Sequence, residues 1–178
     1  MGQGFSPASD LGTPLANQCD VKIGRPRRLN AFPYVGRQRY HFRVGTWDRV
    51  PHFASGRIVD EVREQFLICF TRPDVAILAY CFMPDHAHVL VEGLTPRARP
   101  LELVARWKQM SGFWFQREHH ERLWQPSFFE RVLREAETSR NVARYILANP
   151  VRAGIVTRPS EYPYSFCAWQ EDWSDVQG

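Results

Sequence analysis

Two histidines separated by one residue form the sharpest chemical feature of the sequence. His86 and His88 flank Ala87 in a stretch that reads as a β-strand. Because successive side chains of a strand point to opposite faces, the two imidazoles share one face, about 7 Å apart along the strand. Imidazoles placed in this way can converge on one cation and leave its other positions open for a third ligand and a substrate oxygen. Taken alone, the pattern is more often two half-buried histidines on a sheet face than a metal site.

A tyrosine and an asparagine four residues apart form the second feature. Tyr145 and Asn149 lie on one face of a predicted helix. At about 100° per residue, Tyr145 falls roughly 130° and Asn149 roughly 90° from the centre of the apolar stripe. Both therefore lie at its margin, where a side chain can face a groove. The commoner alternative is a tyrosine that covers apolar surface and an asparagine that ends a helix before a proline. The predicted buried stripe consists of Val142, Ala143, Ile146 and Leu147.

The elements that must position these residues can be read from hydrophobic periodicity. Alternating polarity begins near Arg39 and predicts a strand with one polar face, which includes His41 and Arg43. The last predicted helix is stopped by Pro150, because the residue before a proline avoids the α region. The other elements are, in chain order, a helix over 55–71, a buried strand over 75–82, a strand over 86–92, a helix from 100 to 119 or 120, a β-like stretch over 127–133 and a helix over 136–149.

The order β-α-β-β-α-β-α predicts an α+β fold. We expect a ferredoxin-like antiparallel sheet with helices on one face, plus a C-terminal helix that carries Tyr145. Trp107 and Trp114 share the apolar stripe of the second helix, and we interpret them as core residues rather than as a binding platform.

Composition and charge limit the class of protein. The chain has 178 residues with 44% hydrophobic and 24% charged residues, which is typical of one soluble globular domain. No apolar run approaches the roughly 18 residues that cross a bilayer, and the first ten residues do not resemble a signal peptide. The four cysteines form no CxxC pair, which argues against a zinc knuckle or a disulfide scaffold and favours a reducing cytosol.

The net charge of +4 lies entirely in the first 40 residues. These carry six Lys or Arg and two Asp, whereas the rest of the chain holds 17 basic and 17 acidic residues. The segment 1–36 also lacks hydrophobic periodicity, so we predict a flexible basic extension suited to phosphate contacts, or alternatively a merely solvated leader. A folded domain over 37–170 and a short tail over 171–178 complete the predicted organisation.

Three stretches of the sequence resemble one known family. Residues 82–91, 123–134 and 145–156 are similar to the REP-associated tyrosine transposases. These are domesticated relatives of the insertion-sequence transposases that carry a His-hydrophobe-His (HUH) motif and a single catalytic tyrosine. The resemblance covers about residues 37–168, with the motifs in the family's order and spacing, and excludes the first 36 residues.

The resemblance implies a site and a reaction. His86 and His88 match the metal-binding pair, Tyr145 the nucleophile, and Asn149 the polar residue that completes the metal site. Asp85, where the family has Asn or Asp, is interpreted as part of the turn before a ligand. The implied activity is Mg²⁺- or Mn²⁺-dependent cleavage and rejoining of single-stranded or hairpin DNA through a 5′-phosphotyrosine. The implied setting is a bacterial cytoplasmic, nucleoid-associated protein without a membrane partner, acting as a monomer or homodimer.

Basic side chains and the polar face of the first strand supply candidates for DNA contact. Arg97, Arg99 and Arg106 are further phosphate-contact candidates, although a solvated charge is the commoner explanation on a surface helix. The principal candidates are Arg27, Arg28, Arg39, His41, Arg43 and Lys108.

Two other functions compete with the transposase interpretation. The first is a repeat-binding protein whose chemistry is reduced or lost. The second is an unrelated metallohydrolase that uses the histidine pair with water as the nucleophile. Replacing Tyr145 by Phe separates them, because only the transposase reaction requires the phenol oxygen.

Overall fold

The predicted strands assemble into one antiparallel sheet. The computed structural model describes residues 35–133 and 136–169, and for 136–138 it describes the backbone alone. Within these residues the sheet has five strands in the order β4-β1-β3-β2-β5. The neighbouring strands β4, β1, β3 and β2 have the ferredoxin-like order. The predicted α+β class is therefore confirmed. The elements are β1 (Arg39–Gly45), α1 (Gly56–Phe70), β2 (Val75–Met83), β3 (His86–Gly93), α2 (Pro100–His119), β4 (Phe129–Leu133), α3 (Ala136–Arg152) and β5 (Ser165–Cys167).

One face of the sheet carries the main core. The apolar positions of β1 point to this face, and Phe42 is fully buried there with Phe66 of α1, Phe82 of β2 and Trp107 of α2. The Trp107 indole donates a hydrogen bond of 3.0 Å to the Val62 carbonyl, which ties α2 to α1. The expectation that Trp107 is a core residue is confirmed, and Trp114 is partly buried against the same core.

The opposite face is only partly covered. Helix α3 buries Val142, Ala143 and Ile146 against Cys81 of β2 and Leu90 of β3, which confirms the predicted stripe. It therefore covers the β2–β3 half of this face. The β1–β4 half stays open and presents the polar positions of β1, so a groove forms beside α3.

One sequence-based expectation about the elements was wrong, and one strand was missed. Helix α3 does not stop at Asn149 but continues through Pro150 to Arg152. Proline lacks the N–H that would bond the Ile146 carbonyl, and the Asn149 side chain donates to that carbonyl at 3.2 Å instead. Strand β5 was not predicted, because three residues are too few to show a period.

Several predictions concern residues that the structure does not describe. Arg27, Arg28, most of the predicted extension 1–36 and the tail 171–178 lie outside the described residues. None of the described helices is long and apolar enough to cross a membrane.

Candidate active site

The two histidines of β3 bring their Nε2 atoms together. His86 Nε2 and His88 Nε2 lie 3.2 Å apart. Two nitrogens that each lie about 2.1 Å from one cation, with a nitrogen–metal–nitrogen angle of about 100°, have this separation. The donor pair therefore fits a shared divalent cation, as the residue spacing suggested.

The other ring nitrogen of each histidine has a partner of its own. His86 Nδ1 lies 2.5 Å from Asp85 Oδ1, and His88 Nδ1 lies 3.0 Å from His41 Nε2. Because a carboxylate can only accept, His86 Nδ1 carries the proton and Nε2 presents its lone pair outward. Such outer partners fix the orientation of metal-binding imidazoles. His41, predicted to contact DNA, thus also supports His88.

Asp85 is itself held from two sides. Its Oδ2 accepts a hydrogen bond from Arg49 Nε at 2.9 Å and forms an ion pair with Arg49 Nη2 at 2.8 Å. Its backbone carbonyl accepts from the Thr46 hydroxyl at 2.8 Å and the Thr46 amide at 2.9 Å. Arg49 follows Asp48, and both have left-handed backbone conformations, with φ of 57° and 48°. Such conformations are uncommon and costly for non-glycine residues.

The role of Asp85 and the presence of Arg49 were both missed from the sequence. Asp85 was interpreted only as part of a turn, although its position directly before His86 is a usable signal. Arg49 lies 36 residues away from Asp85 in the chain and belongs to no periodic element, so no local pattern pointed to it.

Burial keeps the histidines uncharged at neutral pH. It lowers the pKa of His41 to about 4, with help from Arg131 and Arg43. It also lowers the pKa of His86, and it lowers that of His88 well below the usual value. Burial alone would raise the pKa of Asp85, but the hydrogen bond and charge of His86, together with Arg49, lower it overall. Neutral imidazoles are the form that binds metal ions.

Tyr145 lies against this cluster. Its ring centroid is 5.8 Å from that of His88, and the two rings are nearly perpendicular. The side chain remains 45% exposed, as expected at the margin of the α3 stripe. The Arg152 guanidinium lies 5.2 Å from the centre of the Tyr145 ring. The tyrosine is therefore accessible to a substrate that also reaches the histidines.

A groove of about 350 Å³ joins these groups. Arg43 and Arg49 give one wall positive charge, which suits a phosphate. The opposite wall is a loop leading into β4. The groove is lined by His41, Arg43, Gly45, Arg49, Asp85, His88, Gln125, Ser127, Phe128, Phe129 and Tyr145.

The amino-acid sequence matches a known protein family. The sequence model of the family described as "Transposase IS200 like" matches residues 34–149, about two thirds of the chain. This chain belongs to the IS200-like transposase family. The matched segment contains both histidines, Tyr145 and Asn149.

Individual relatives agree with this assignment. This chain is 25% identical over 137 residues to the REP-associated tyrosine transposase of Escherichia coli K12, covering 72% of this chain and 79% of the relative. It is 25% identical over 140 residues to a putative REP-associated tyrosine transposase of Haemophilus influenzae, covering 71% and 77%. The resemblance stated from the motifs is confirmed.

A solved structure shares the fold. The structure of a REP-associated tyrosine transposase bound to a REP hairpin superposes with a TM-score of 0.62. The match covers 75% of this chain and 79% of that chain, at 21% sequence identity. At this identity the match shows the common architecture and no individual residue role.

Asn149 does not point to the histidines in this structure. Its Nδ2 donates to the Tyr145 carbonyl at 2.7 Å and to the Ile146 carbonyl at 3.2 Å. Within residues 35–133 and 136–169, no three His, Cys, Asp or Glu side chains form a group that could hold a metal. A cation on His86 and His88 would therefore complete its shell with amide, water or phosphate oxygens. A metal-binding role of Asn149 stays a prediction.

The candidate DNA contacts separate into two groups. Arg43 and His41 line the groove. Arg39 forms an ion pair of 2.9 Å with Glu92. Lys108 donates to the Gln125 carbonyl at 2.8 Å and the Ser127 carbonyl at 3.3 Å, and burial lowers its pKa to about 8. Lys108 thus supports the loop wall of the groove, and its contact with DNA stays a prediction.

Proposed function

We propose that this transposase cleaves and rejoins single-stranded DNA beside a hairpin, with Tyr145 as the nucleophile and a divalent cation, Mg²⁺ or Mn²⁺, held by His86 and His88. One observation carries the proposal: the two Nε2 atoms face each other at 3.2 Å, and the exposed Tyr145 ring packs on His88. A nucleophile and a cation site so placed can act on the same phosphate.

The side chains have distinct tasks in this reaction. The Tyr145 phenol oxygen attacks the phosphorus, the bond from phosphorus to the 3′ oxygen breaks, and the phenol proton passes through water to that oxygen. The product is a 5′-phosphotyrosine and a free 3′-hydroxyl, and reversal of the step rejoins the strand without ATP. When bound, the cation would polarise a phosphate oxygen and offset charge on the leaving oxygen. Arg43 orients the phosphate, and Asp85 orients His86.

The similarities indicate the substrate. A REP-associated tyrosine transposase of the same fold has been solved bound to a REP hairpin, and relatives carry the same description. The basic groove beside Tyr145 accommodates one strand. Repeat hairpins near the gene are therefore the substrates to test, and the proposed site of action is the bacterial nucleoid.

A second candidate is binding of repeat hairpins without cleavage. The observation that favours it is the Asn149 amide, which is occupied by carbonyls of its own helix. If Asn149 does not reach the cation, the site lacks the third protein ligand expected from the family resemblance.

Covalent capture distinguishes these functions. Single-stranded oligonucleotides copied from repeat hairpins that flank the gene are incubated with protein and Mn²⁺ or Mg²⁺, and denaturing gels reveal protein–DNA adducts. We expect an adduct with the wild type and with Tyr164→Phe, a matched control. We expect none with Tyr145→Phe or His86→Ala.

The other outcomes identify the alternatives. Tight binding without an adduct in either metal would favour the repeat-binding protein. Cleaved DNA without an adduct, in amounts that Tyr145→Phe does not change, would favour the metallohydrolase.

A further inference from the structure

The two walls of the groove have different chemistry. One wall carries the histidines, arginines and Asp85. The other, which we name the β4 wall, consists of residues 125–129 and offers a carboxamide, a hydroxyl and two phenyl rings. Arginines suit phosphates, whereas amides and aromatic rings suit nucleobases.

The β4 wall is held in place before any substrate arrives. Lys108 Nζ donates to the carbonyls of Gln125 at 2.8 Å, Ser127 at 3.3 Å and Pro126 at 3.5 Å. The backbone N–H of Gln125 donates to the Gly45 carbonyl at 3.0 Å, which joins the wall to the end of β1. A fixed loop loses little conformational entropy when it binds a ligand.

The Gln125 side chain lies directly over a glycine. A Cβ atom added at Gly45 would lie 3.0 Å from Gln125 Oε1, which shows how closely the carboxamide approaches the backbone of β1. Gly45 is the cross-strand partner of His86, which places the carboxamide beside the histidine cluster. Among the residues that the structure describes, the carboxamide has no hydrogen-bond partner, so its donor and acceptor are available to a ligand.

Phe129 supplies a ring next to this amide. It is the cross-strand partner of Arg43, and directly opposite residues in a sheet share a face, so its half-buried ring lines the groove. The preceding Phe128 also borders the groove, but it is partly buried against the core and packs edge-on against Phe42, with 5.8 Å between the ring centroids. We therefore assign the base-stacking role to Phe129, which lies beside Arg43 on the open face of the sheet.

We propose that the β4 wall binds the nucleobase of the nucleotide next to the phosphate that Tyr145 attacks. Phe129 stacks on the base, and the Gln125 carboxamide forms hydrogen bonds with its edge. The wall thereby determines which base is accepted at the cleavage junction, because the arginines opposite contact only the backbone. This inference rests on the proposed function and adds to it a source of sequence specificity.

A fluorescent base tests the contact without turnover. The base 2-aminopurine is placed at successive positions along a repeat-hairpin oligonucleotide, and its quenching is measured on binding of wild-type protein without metal. We expect strong quenching at one position, lost in Phe129→Leu. Phe113→Leu, which alters an exposed ring of α2, serves as the control and should quench like the wild type.

Base preference tests the hydrogen bonds. Four oligonucleotides that differ only at the mapped junction base are compared by their rates of adduct formation. We expect the wild type to prefer one base by on the order of tenfold and Gln125→Ala to reduce this preference to about threefold or less. Gln116→Ala, a matched substitution on the exposed surface of α2, should leave the preference unchanged.

The outcomes separate this inference from the proposed function. Adducts with unchanged base preference and unchanged quenching in the Gln125 and Phe129 variants would overturn the β4 wall as a base site while the transposase reaction stands. No adduct, but position-specific quenching that depends on Phe129, would retain the base site in a DNA-binding protein. DNA binding with no position-specific quenching, or no DNA binding, would overturn the base site. Gel filtration and circular dichroism confirm that each variant folds.

Discussion

At the scale of single residues, the site depends on which nitrogen each histidine presents. The Nδ1 atom of His86 contacts Asp85, and the Nδ1 atom of His88 contacts His41. The Nε2 atoms of the two histidines therefore face each other. Arg49 and Thr46 in turn hold Asp85. The charge and position of the Asp85 carboxylate therefore orient the two nitrogens that we propose to bind a cation.

Replacing Asp85 by Asn tests this control. The neutral amide no longer fixes the proton of His86 on Nδ1, so we expect Mn²⁺ affinity to fall by about tenfold to hundredfold. Calorimetric titration with Mn²⁺ measures the change. Asp74→Asn, which alters an ion pair with Arg72 distant from the groove, should leave the affinity unchanged. Equal affinities for wild type and Asp85→Asn would show that Asp85 does not orient the ligand.

Replacing Arg43 by Gln tests whether its guanidinium binds a DNA phosphate. Neutralising one phosphate-binding cation should reduce the slope of log affinity against log salt by about 0.7 for a single strand, because one fewer phosphate charge is compensated by the protein. Fluorescence anisotropy with a labelled hairpin at several salt concentrations measures this slope. Arg99→Gln is the matched control, because Arg99 is paired with Glu102 on an exposed surface. A slope unchanged in Arg43→Gln would argue that Arg43 has no DNA phosphate partner.

At the scale of elements, the last turn of helix α3 depends on a side-chain hydrogen-bond donor that replaces a missing backbone donor. Pro150 cannot donate to the Ile146 carbonyl, and Asn149 does so with its side chain. The helix therefore reaches Arg152, whose guanidinium lies on the Tyr145 ring. Asn149 thus supports the last turn of the helix that carries the proposed nucleophile, besides any role at the metal.

A pair of substitutions separates the two roles of Asn149. Asn149→Ala should destabilise the protein by about 1 kcal/mol, because the Ile146 carbonyl loses the side-chain donor that replaces the missing N–H of Pro150. Adding Pro150→Ala restores a backbone N–H for Ile146, so the double variant should recover stability relative to Asn149→Ala. Thermal unfolding and Mn²⁺ titration are measured for both, with Pro150→Ala alone as the control.

The two measurements together give the answer. Recovery of stability with Mn²⁺ affinity still reduced would support Asn149 as a metal ligand. Recovery of both stability and Mn²⁺ affinity would assign Asn149 to the helix alone. Recovery of neither would contradict the idea that the Asn149 side chain replaces the missing N–H of Pro150.

At the scale of the whole molecule, the sheet divides its two faces between stability and chemistry. One face is sealed by α1 and α2 over a continuous aromatic core. The other is half covered by α3, and the uncovered half presents the groove. Substitutions in the core should therefore act through folding, whereas those in the groove should act through binding.

Phe82→Ala tests this division. Phe82 is fully buried and contacts the rings of Phe53, Phe66 and Trp107, so removing its ring should cost about 3–5 kcal/mol of unfolding free energy. Denaturant unfolding measures this cost. Phe113→Ala, at a ring that is 65% exposed, should change stability by about 0.5 kcal/mol or less. Similar effects for the two variants would contradict the assignment of the core.

Most of the elements, the ferredoxin-like order and the residues proposed for the site could be predicted from the sequence alone. The alternation at Tyr40 and Phe42 predicted the face of β1, and the spacing of His86 and His88 predicted that they share a face. Tyr145 was expected at the margin of its helix, where it lies. These features follow from the fixed periods of strand and helix, which act over a few residues.

The contacts that complete the site became visible only in the folded chain. Arg49 pairs with Asp85, and Gln125 lies over Gly45, although each pair is distant in the sequence. The packing of α3 also determines which half of the sheet face stays open. The continuation of α3 through Pro150 depends on a side chain replacing a backbone donor. Periodicity carries no information about such contacts, because they arise when elements pack and each polar group must find a partner.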